Sequence, residues 1–171
     1  QTVFEGRRST TRGATQKRIV VIGLLQRITK ARVDVNGETL GAVGAGLLVL
    51  IGVQRGDSEQ QADRLLERVL SFRVFPDEDD KMNRDIRDVG GGLLLVPQFT
   101  LAADTRKGTR ASFTTAAPPE KSQFLFDYLL DQAQQLHEPV GAGQFGAHML
   151  VSLTNDGPVT FWLEVPPDNV G

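Results

Sequence analysis

The side chains from which catalytic centres are usually built are sparse in this chain. It has two histidines, His137 and His148, and no cysteine. Disulfides, thiolate catalysis and cysteine-based zinc sites are therefore excluded together. His137 falls at the end of a helical pattern and His148 in a strand-like run beside Met149. Neither has a second histidine or a carboxylate at ligand spacing, so no metal centre is expected. Asp77-Glu78-Asp79-Asp80 resembles the start of a calcium loop, but the sixth position lacks glycine and the twelfth is Asp88 rather than glutamate. It reads as an acidic turn. The Gly41–Gly46 stretch and Gly90-Gly91-Gly92 lack the Lys-Ser/Thr ending of a phosphate loop and read as turns. Hydroxyls remain, among them Thr100, Ser112 and Thr160. A hydroxyl nucleophile needs an adjacent base, and none is at hand. A hydrolase built on this chain must work through backbone electrostatics and positioning, or borrow a group from its substrate.

Two short segments stand out instead. They are Val96-Pro97-Gln98-Phe99-Thr100-Leu101 and Asn155-Asp156-Gly157-Pro158-Val159-Thr160, each at the end of an apolar run where a strand would stop. The elements that must position them follow from periodicity and turn chemistry. Ile19 to Ile28 reads as a strand; Arg32 to Val35 and Glu38 to Val43 flank the hairpin signal Asn36-Gly37. Leu47 to Val53 is a continuous apolar run of the kind buried on both faces of a sheet. Ser58 caps a helix with Gln61 at the capping-box position, and Ala62, Leu65, Leu66, Val69 and Leu70 form its apolar face. Phe72 to Phe75 and Leu93 to Val96 read as short strands. Pro118-Pro119 opens a second helix to about Leu136. Val140 to Phe145, His148 to Leu153 and Val159 to Val165 complete the strands. This order implies an α+β (or α/β) domain: a curved, mostly antiparallel sheet with two helices.

Composition limits the rest. At 171 residues, with 40% hydrophobic and 23% charged residues, the chain suits one globular domain. No run approaches the roughly 18 apolar residues that cross a membrane. Residues 1–18 hold five cations against one anion, a charge of +4, which leaves 14 basic and 20 acidic residues in the remainder, a charge of −6. That first stretch is polar, without periodicity, and reads as a disordered extension before a single domain that spans 19–171. Its start at Gln1 rather than Met points to upstream or added sequence, a transit segment being the weaker reading. The tail Pro166–Gly171 is expected to fray. A body at −6 is a poor general binder of nucleic acid. Any RNA contact must be local, and the candidates are Arg106, Lys107 and Arg110 within Thr105–Arg110, which could equally be a solvated loop.

The two segments, with Leu25-Gln26-Arg27-Ile28-Thr29, Gly46-Leu47-Leu48-Val49-Leu50, Lys81-Met82-Asn83 and Phe99-Thr100-Leu101-Ala102-Ala103-Asp104-Thr105, resemble in order the motifs of the D-aminoacyl-tRNA deacylases, from about Ile22 to Val165. The resemblance implies a β-barrel-like, cytoplasmic homodimer with its active site at the subunit interface, and no cofactor. The partners it implies are the acceptor end of an aminoacyl-tRNA and a second copy of the chain, with no membrane and no other protein. The implied reaction releases D-amino acids from tRNA, and glycine from alanine tRNA. Gly157-Pro158 would be a cis peptide reaching into the partner's pocket, holding the substrate amino group and excluding L side chains. Gln98, Phe99 and Thr100 would form the opposite, catalytic wall. Backbone N–H groups there would polarise the ester carbonyl, and the 2′-hydroxyl of the tRNA would help activate water. Arg27 would orient the Gly-Pro loop, and Met149 is placed with Pro97 among the substrate-binding residues. Pro97 departs from the family's usual serine, losing an N–H and a hydroxyl, which keeps open a relaxed chirality toward L-alanyl-tRNA. Two rival functions fit the same residues less well: a non-catalytic nucleic-acid-binding module using the basic loop, and a hydrolase of small esters.

Overall fold

The structure, a computed structural model, describes residues 21–166. The expectations for residues 1–18, for a first strand starting at Ile19 and for the tail beyond Pro166 lie outside them. The chain runs β1 (Val21–Val35), β2 (Glu38–Val43), β3 (Gly46–Gly52), α1 (Glu59–Ser71), β4 (Phe75–Pro76), β5 (Met82–Arg84), α2 (Ile86–Val89), β6 (Gly92–Pro97), α3 (Pro119–Leu136), β7 (Val140–Ala142) and β8 (Leu150–Val165). A 3-10 turn at Phe99–Ala102 follows β6 directly.

The spine of the sheet is β1. Along one edge it pairs antiparallel with β8 from Val21↔Val165 to Asp34↔Leu150. Its other edge changes partner: Ile22–Ile28 pairs with β3, and Ala31–Val35 with β2. Beyond β3 the sheet continues in parallel through β6 to β7. It then curls until β2 meets β7, where a Cβ on Gly41 would lie 2.9 Å from the Ala142 carbonyl. Only a residue without a side chain lets the two backbones approach so closely, and the sheet becomes a nearly closed barrel.

The continuous apolar runs make sense in that arrangement. On β3 and β6, Leu47, Val49, Ile51, Leu93 and Leu95 face α1 and α3, whereas Leu48, Leu94 and Val96 face the barrel interior with Ile28, Ala31 and Val33. Both faces are dry, so alternation disappears. Each fully buried leucine contributes about 1.5–3 kcal/mol. Helix α1 starts where its capping box predicts, with Ser58 N–H donating to Gln61 Oε1 at 2.8 Å. The two proline residues at 118 and 119 open α3. Tyr128 of α3 donates to Asp63 Oδ1 of α1 at 2.8 Å, tying the helices together. No helix among the described residues is long and apolar enough to cross a membrane.

Several boundaries differ from the sequence expectation. The strands expected at Ile19–Ile28 and Arg32–Val35 are one strand, because β8 pairs with β1 on both sides of an irregularity at Thr29, at Ile28↔Asn155 and Lys30↔Thr154. The last two expected strands are likewise one, bent at the Asn155–Thr160 segment. The strand expected at 140–145 stops at Ala142, and His148 lies in the following loop rather than in a strand. Of the strand expected at Phe72–Phe75 only Phe75 pairs, together with Pro76, against β5. A one-turn α2 joins the two expected helices, nucleated by Asp85, whose Oδ1 accepts the N–H groups of Arg87 and Asp88 at 2.9 Å each. The acidic stretch is a turn as expected. Asp77 Oδ2 accepts from Asn83 and its Oδ1 from the N–H groups of Asp79 and Lys81. The Asn83 bond, with its backbone partners, holds that carboxyl below the usual carboxylate range.

Among the described residues, the loop between β3 and α1 carries the one carboxylate in the core. Asp57 is 1% exposed; its Oδ2 accepts Gln54 N–H at 2.7 Å and its Oδ1 has no partner. Burial pushes its pKa up to about 6. A raised folded-state pKa means that the fold retains a proton the unfolded chain has already lost. Its contribution is therefore full below the unfolded value of 3.8 and falls away as pH rises to about 6. Asp57→Asn keeps the acceptor and removes the titration. We expect the melting temperature of the variant, relative to wild type, to rise between pH 4 and pH 7; parallel pH profiles would refute an ionising Asp57.

Candidate active site

A cavity of about 910 Å³ opens beside the end of β6. Five pieces of chain form it: Arg55 on the loop between β3 and α1, Val96–Phe99, Phe113–Ser122, the loop after β7, and the start of β8. The 3-10 turn is seated by Gln98, whose N–H donates to Ile51 O at 2.8 Å and whose carbonyl accepts Leu101 N–H at 3.3 Å. A Cβ on Gly52 would come within 2.8 Å of Leu101 Cβ, so the end of β3 is bare where the turn packs on it. The N–H groups of Phe99 and Thr100 open the turn and have no acceptor inside it. Gln98 Nε2 donates to Thr100 Oγ1. Phe99 is 57% exposed and Phe113 44%, and their rings meet at 5.3 Å across the rim.

Pro97 suits its position. Leu93 donates to Pro139 O and Leu95 accepts from Gly143 N–H, so odd residues of β6 direct their polar groups toward β7. Pro97 lies beyond the last β7 pair, and its missing N–H removes no bond from the ladder. Met149 closes over Gly143 nearby, its Sδ accepting Gln144 N–H at 3.4 Å. Space for the thioether exists because residue 143 has no Cβ, which would sit 2.7 Å from that sulfur.

The second motif is a bulge. Gln26 pairs with Thr160 and Ile28 with Asn155, so Asp156–Val159 of β8 stand opposite Arg27 alone. Asn155 staples the loop from within. Its Oδ1 accepts Val159 N–H at 2.7 Å, and its Nδ2 donates to Val159 O at 3.2 Å and Thr160 Oγ1 at 3.0 Å. Arg27 holds it from below, donating to Asp156 O at 3.0 Å and Val74 O at 2.6 Å. The Asp156 carboxylate adds an ion pair with Arg27 at 3.5 Å. The Gly157-Pro158 peptide is cis, and both residues are exposed. Gly157 has φ +141°, and a Cβ there would lie 2.6 Å from Val159 Cγ2 and 2.9 Å from Val159 N.

The structure thus brings Pro97, Gln98, Phe99 and Met149 together around the cavity, with Thr100 tied to Gln98 just outside the lining. It brings Arg27 to Gly157, but neither they nor Pro158 line that cavity within one chain. The basic loop is closed by the Asp104↔Ser112 bridge, between the turn and Phe113. Arg106 there is held by Asp104 at 2.6 and 2.9 Å, and that carboxylate raises its pKa, whereas Lys107 and Arg110 are exposed. His137 is a clasp, its Nε2 2.7 Å from Gly91 O. Sequence reasoning missed Arg55, Phe113 and His148 as lining residues and treated Phe145, another, as part of a strand. An aromatic residue isolated in each polar loop was the available signal.

The chain matches the family model for D-Tyr-tRNA(Tyr) deacylase over residues 24–164. It is 66% identical over 147 residues to the D-aminoacyl-tRNA deacylase of Thioalkalivibrio sulfidiphilus, a match covering 86% of this chain and 99% of that protein. The enzyme of the same name from Alkalilimnicola ehrlichii is 64% identical, over 86% of this chain and 98% of the relative. A solved structure described as c-Myc DNA Unwinding Element Binding Protein superposes with a TM-score of 0.81 at 36% identity, covering 85% of this chain and 99% of that one. A match that runs in order through the barrel strands, the Pro97–Phe99 wall and the bulge carrying Gly157-Pro158 takes in nearly all of the described chain, and the chain belongs to the D-Tyr-tRNA(Tyr) deacylase family.

Proposed function

We propose that this protein hydrolyses the ester bond of D-aminoacyl-tRNA in the cytoplasm, releasing the free D-amino acid and tRNA. The observation that carries the reading is its 66% identity, over almost the whole of the relative, to a D-aminoacyl-tRNA deacylase. The geometry agrees with it. The cavity is lined mainly by apolar side chains and holds no nucleophile paired with a base among the described residues. Water attacks the ester carbonyl carbon. The carbonyl oxygen takes up negative charge beside the Phe99 and Thr100 N–H groups, and the C–O bond to ribose breaks as the ribose oxygen regains a proton. The neighbouring 2′-hydroxyl of the terminal adenosine serves as the proton relay, and no metal takes part.

Chirality is set by Gly157-Pro158 of a second copy reaching into the cavity of the first. Its carbonyls hold the substrate amino group, and its bulk occupies the place of an L side chain. Support comes from the exposure of the bulge and from its absence among the residues lining the cavity of its own chain. Glycine on alanine tRNA, lacking a side chain, enters as D-residues do. Exposed Leu150, Leu153, Phe161 and Trp162 on β8 offer apolar surface for the dimer. Lys107 and Arg110 contact the tRNA backbone, while Arg106 is already engaged by Asp104.

The decisive comparison is deacylation of D-tyrosyl-, L-tyrosyl- and L-alanyl-tRNA by the purified protein in EDTA. Release of the D-ester alone is expected. Release of the L-alanyl ester as well would assign relaxed chirality to Pro97. Salt-sensitive binding without cleavage would favour a nucleic-acid-binding module, the reading that the description of the 36%-identical structure suggests. Gly157→Ala must displace the buried Val159 at a backbone φ of +141°, so it should lower the D-to-L rate ratio about tenfold and also lower the melting temperature; unaltered discrimination in the folded variant would remove the bulge from chiral selection. Thr100→Ala should slow turnover about threefold to tenfold if backbone groups carry the chemistry. Complete loss of activity in the folded variant would make the hydroxyl essential.

A further inference from the structure

Among the described residues lining the cavity, Arg55 is the one lysine or arginine. It sits on the loop between β3 and α1, which is pinned from several directions. Gln54 bridges to Ala116, Arg55 N–H donates to Thr115 O at 3.0 Å, and Ala117 N–H donates to Val53 O at 3.1 Å. The side chain is fixed as well, its Nε donating to Thr114 O at 2.8 Å. An arginine carries five N–H donors, so the two terminal amino groups are left as an end-on fork at the rim. The contrast with Arg106 decides between the two cations. Arg106 spends its Nε and Nη2 on the carboxylate of Asp104, whereas Arg55 is held by a neutral carbonyl and keeps its charge for an incoming anion.

We propose that Arg55 binds a phosphodiester of the substrate, the one on the 5′ side of the terminal ribose. This rests on the reading that the ester sits in the cavity. The first negative charge met on leaving that ester along the nucleic acid is this phosphodiester, and a guanidinium fork matches two of its oxygens. Arg55 is thus a positioning residue: it aligns the terminal nucleotide against the Gln98–Thr100 wall and takes no part in bond breaking.

Two small substrates separate this from a structural role. The D-tyrosyl ester of the dinucleotide CpA carries the phosphodiester; D-tyrosyl-adenosine does not. For Arg55→Gln we expect KM for the CpA ester to rise about tenfold, with kcat within twofold and no change on D-tyrosyl-adenosine. Arg55→Lys should recover part of the loss. Equal losses on both substrates would show that Arg55 only supports the loop, and no loss on either would show that it meets no phosphate; each overturns the assignment. Failure of the wild-type protein to cleave either ester or D-tyrosyl-tRNA would instead overturn the functional reading, and the assignment with it.

Discussion

A fifteen-residue strand with β8 along the whole of one edge, and with β3 and then β2 along the other, cannot remain flat. The coil that β1 must adopt is what rolls the sheet until β2 meets β7, and the same coil interrupts the pairing with β8 near its middle. The register slips around Arg27, where four residues of β8 stand against one of β1. Bulges accommodate local twist and re-aim the chain they contain. Here the re-aimed chain is Gly157-Pro158. The barrel and the protruding Gly157-Pro158 bulge are two consequences of one strand having three partners.

The cavity is placed by a different rule. Strands β3 and β6 run parallel and are buried on both faces, so their polar backbone groups emerge only at the strand ends. At the end of β6 the chain leaves the ladder through Pro97, makes its last ladder-like bond from Gln98 to Ile51, and turns at once. The turn that follows lies beside a recess lined by Phe99, Phe113 and Met149. Electrostatic stabilisation by fixed dipoles is strongest where water is excluded.

What could be read from the sequence was whatever a local rule determines. The Ser58–Gln61 box, the proline start of α3, the Asn36-Gly37 hairpin and the dry runs in β3 and β6 each depend on neighbours within a few residues. The continuity of β8 did not. Asn-Asp-Gly-Pro has the composition of a turn, and only Arg27 and Asn155 hold it as a bulge within one strand. Arg27 is distant in sequence, so no window around residue 157 contains the cause. The same holds for the site. Pro97, Gln98 and Met149 came from the family resemblance, whereas Arg55 and Phe113 enter through pairings of loop to loop, such as Gln54 with Ala116, that periodicity does not encode.

The energetic layout separates the two motifs. The Pro97–Thr100 wall is continuous with β6, whose leucines are almost wholly buried, so its start is anchored in the core. The Gly157-Pro158 bulge protrudes and is tied mainly by Arg27 and Asn155. Its exposure does not make it freely replaceable, because Gly157 has φ +141° and a Cβ there would meet the buried Val159. A catalytic wall has to hold its donors to within a fraction of an ångström, whereas a steric selector has only to occupy a volume. If the proposed roles hold, the first is anchored in the core and the second rests on a stapled protrusion. Pro97, beyond the last β7 pair, costs the sheet no hydrogen bond at the rim of that wall.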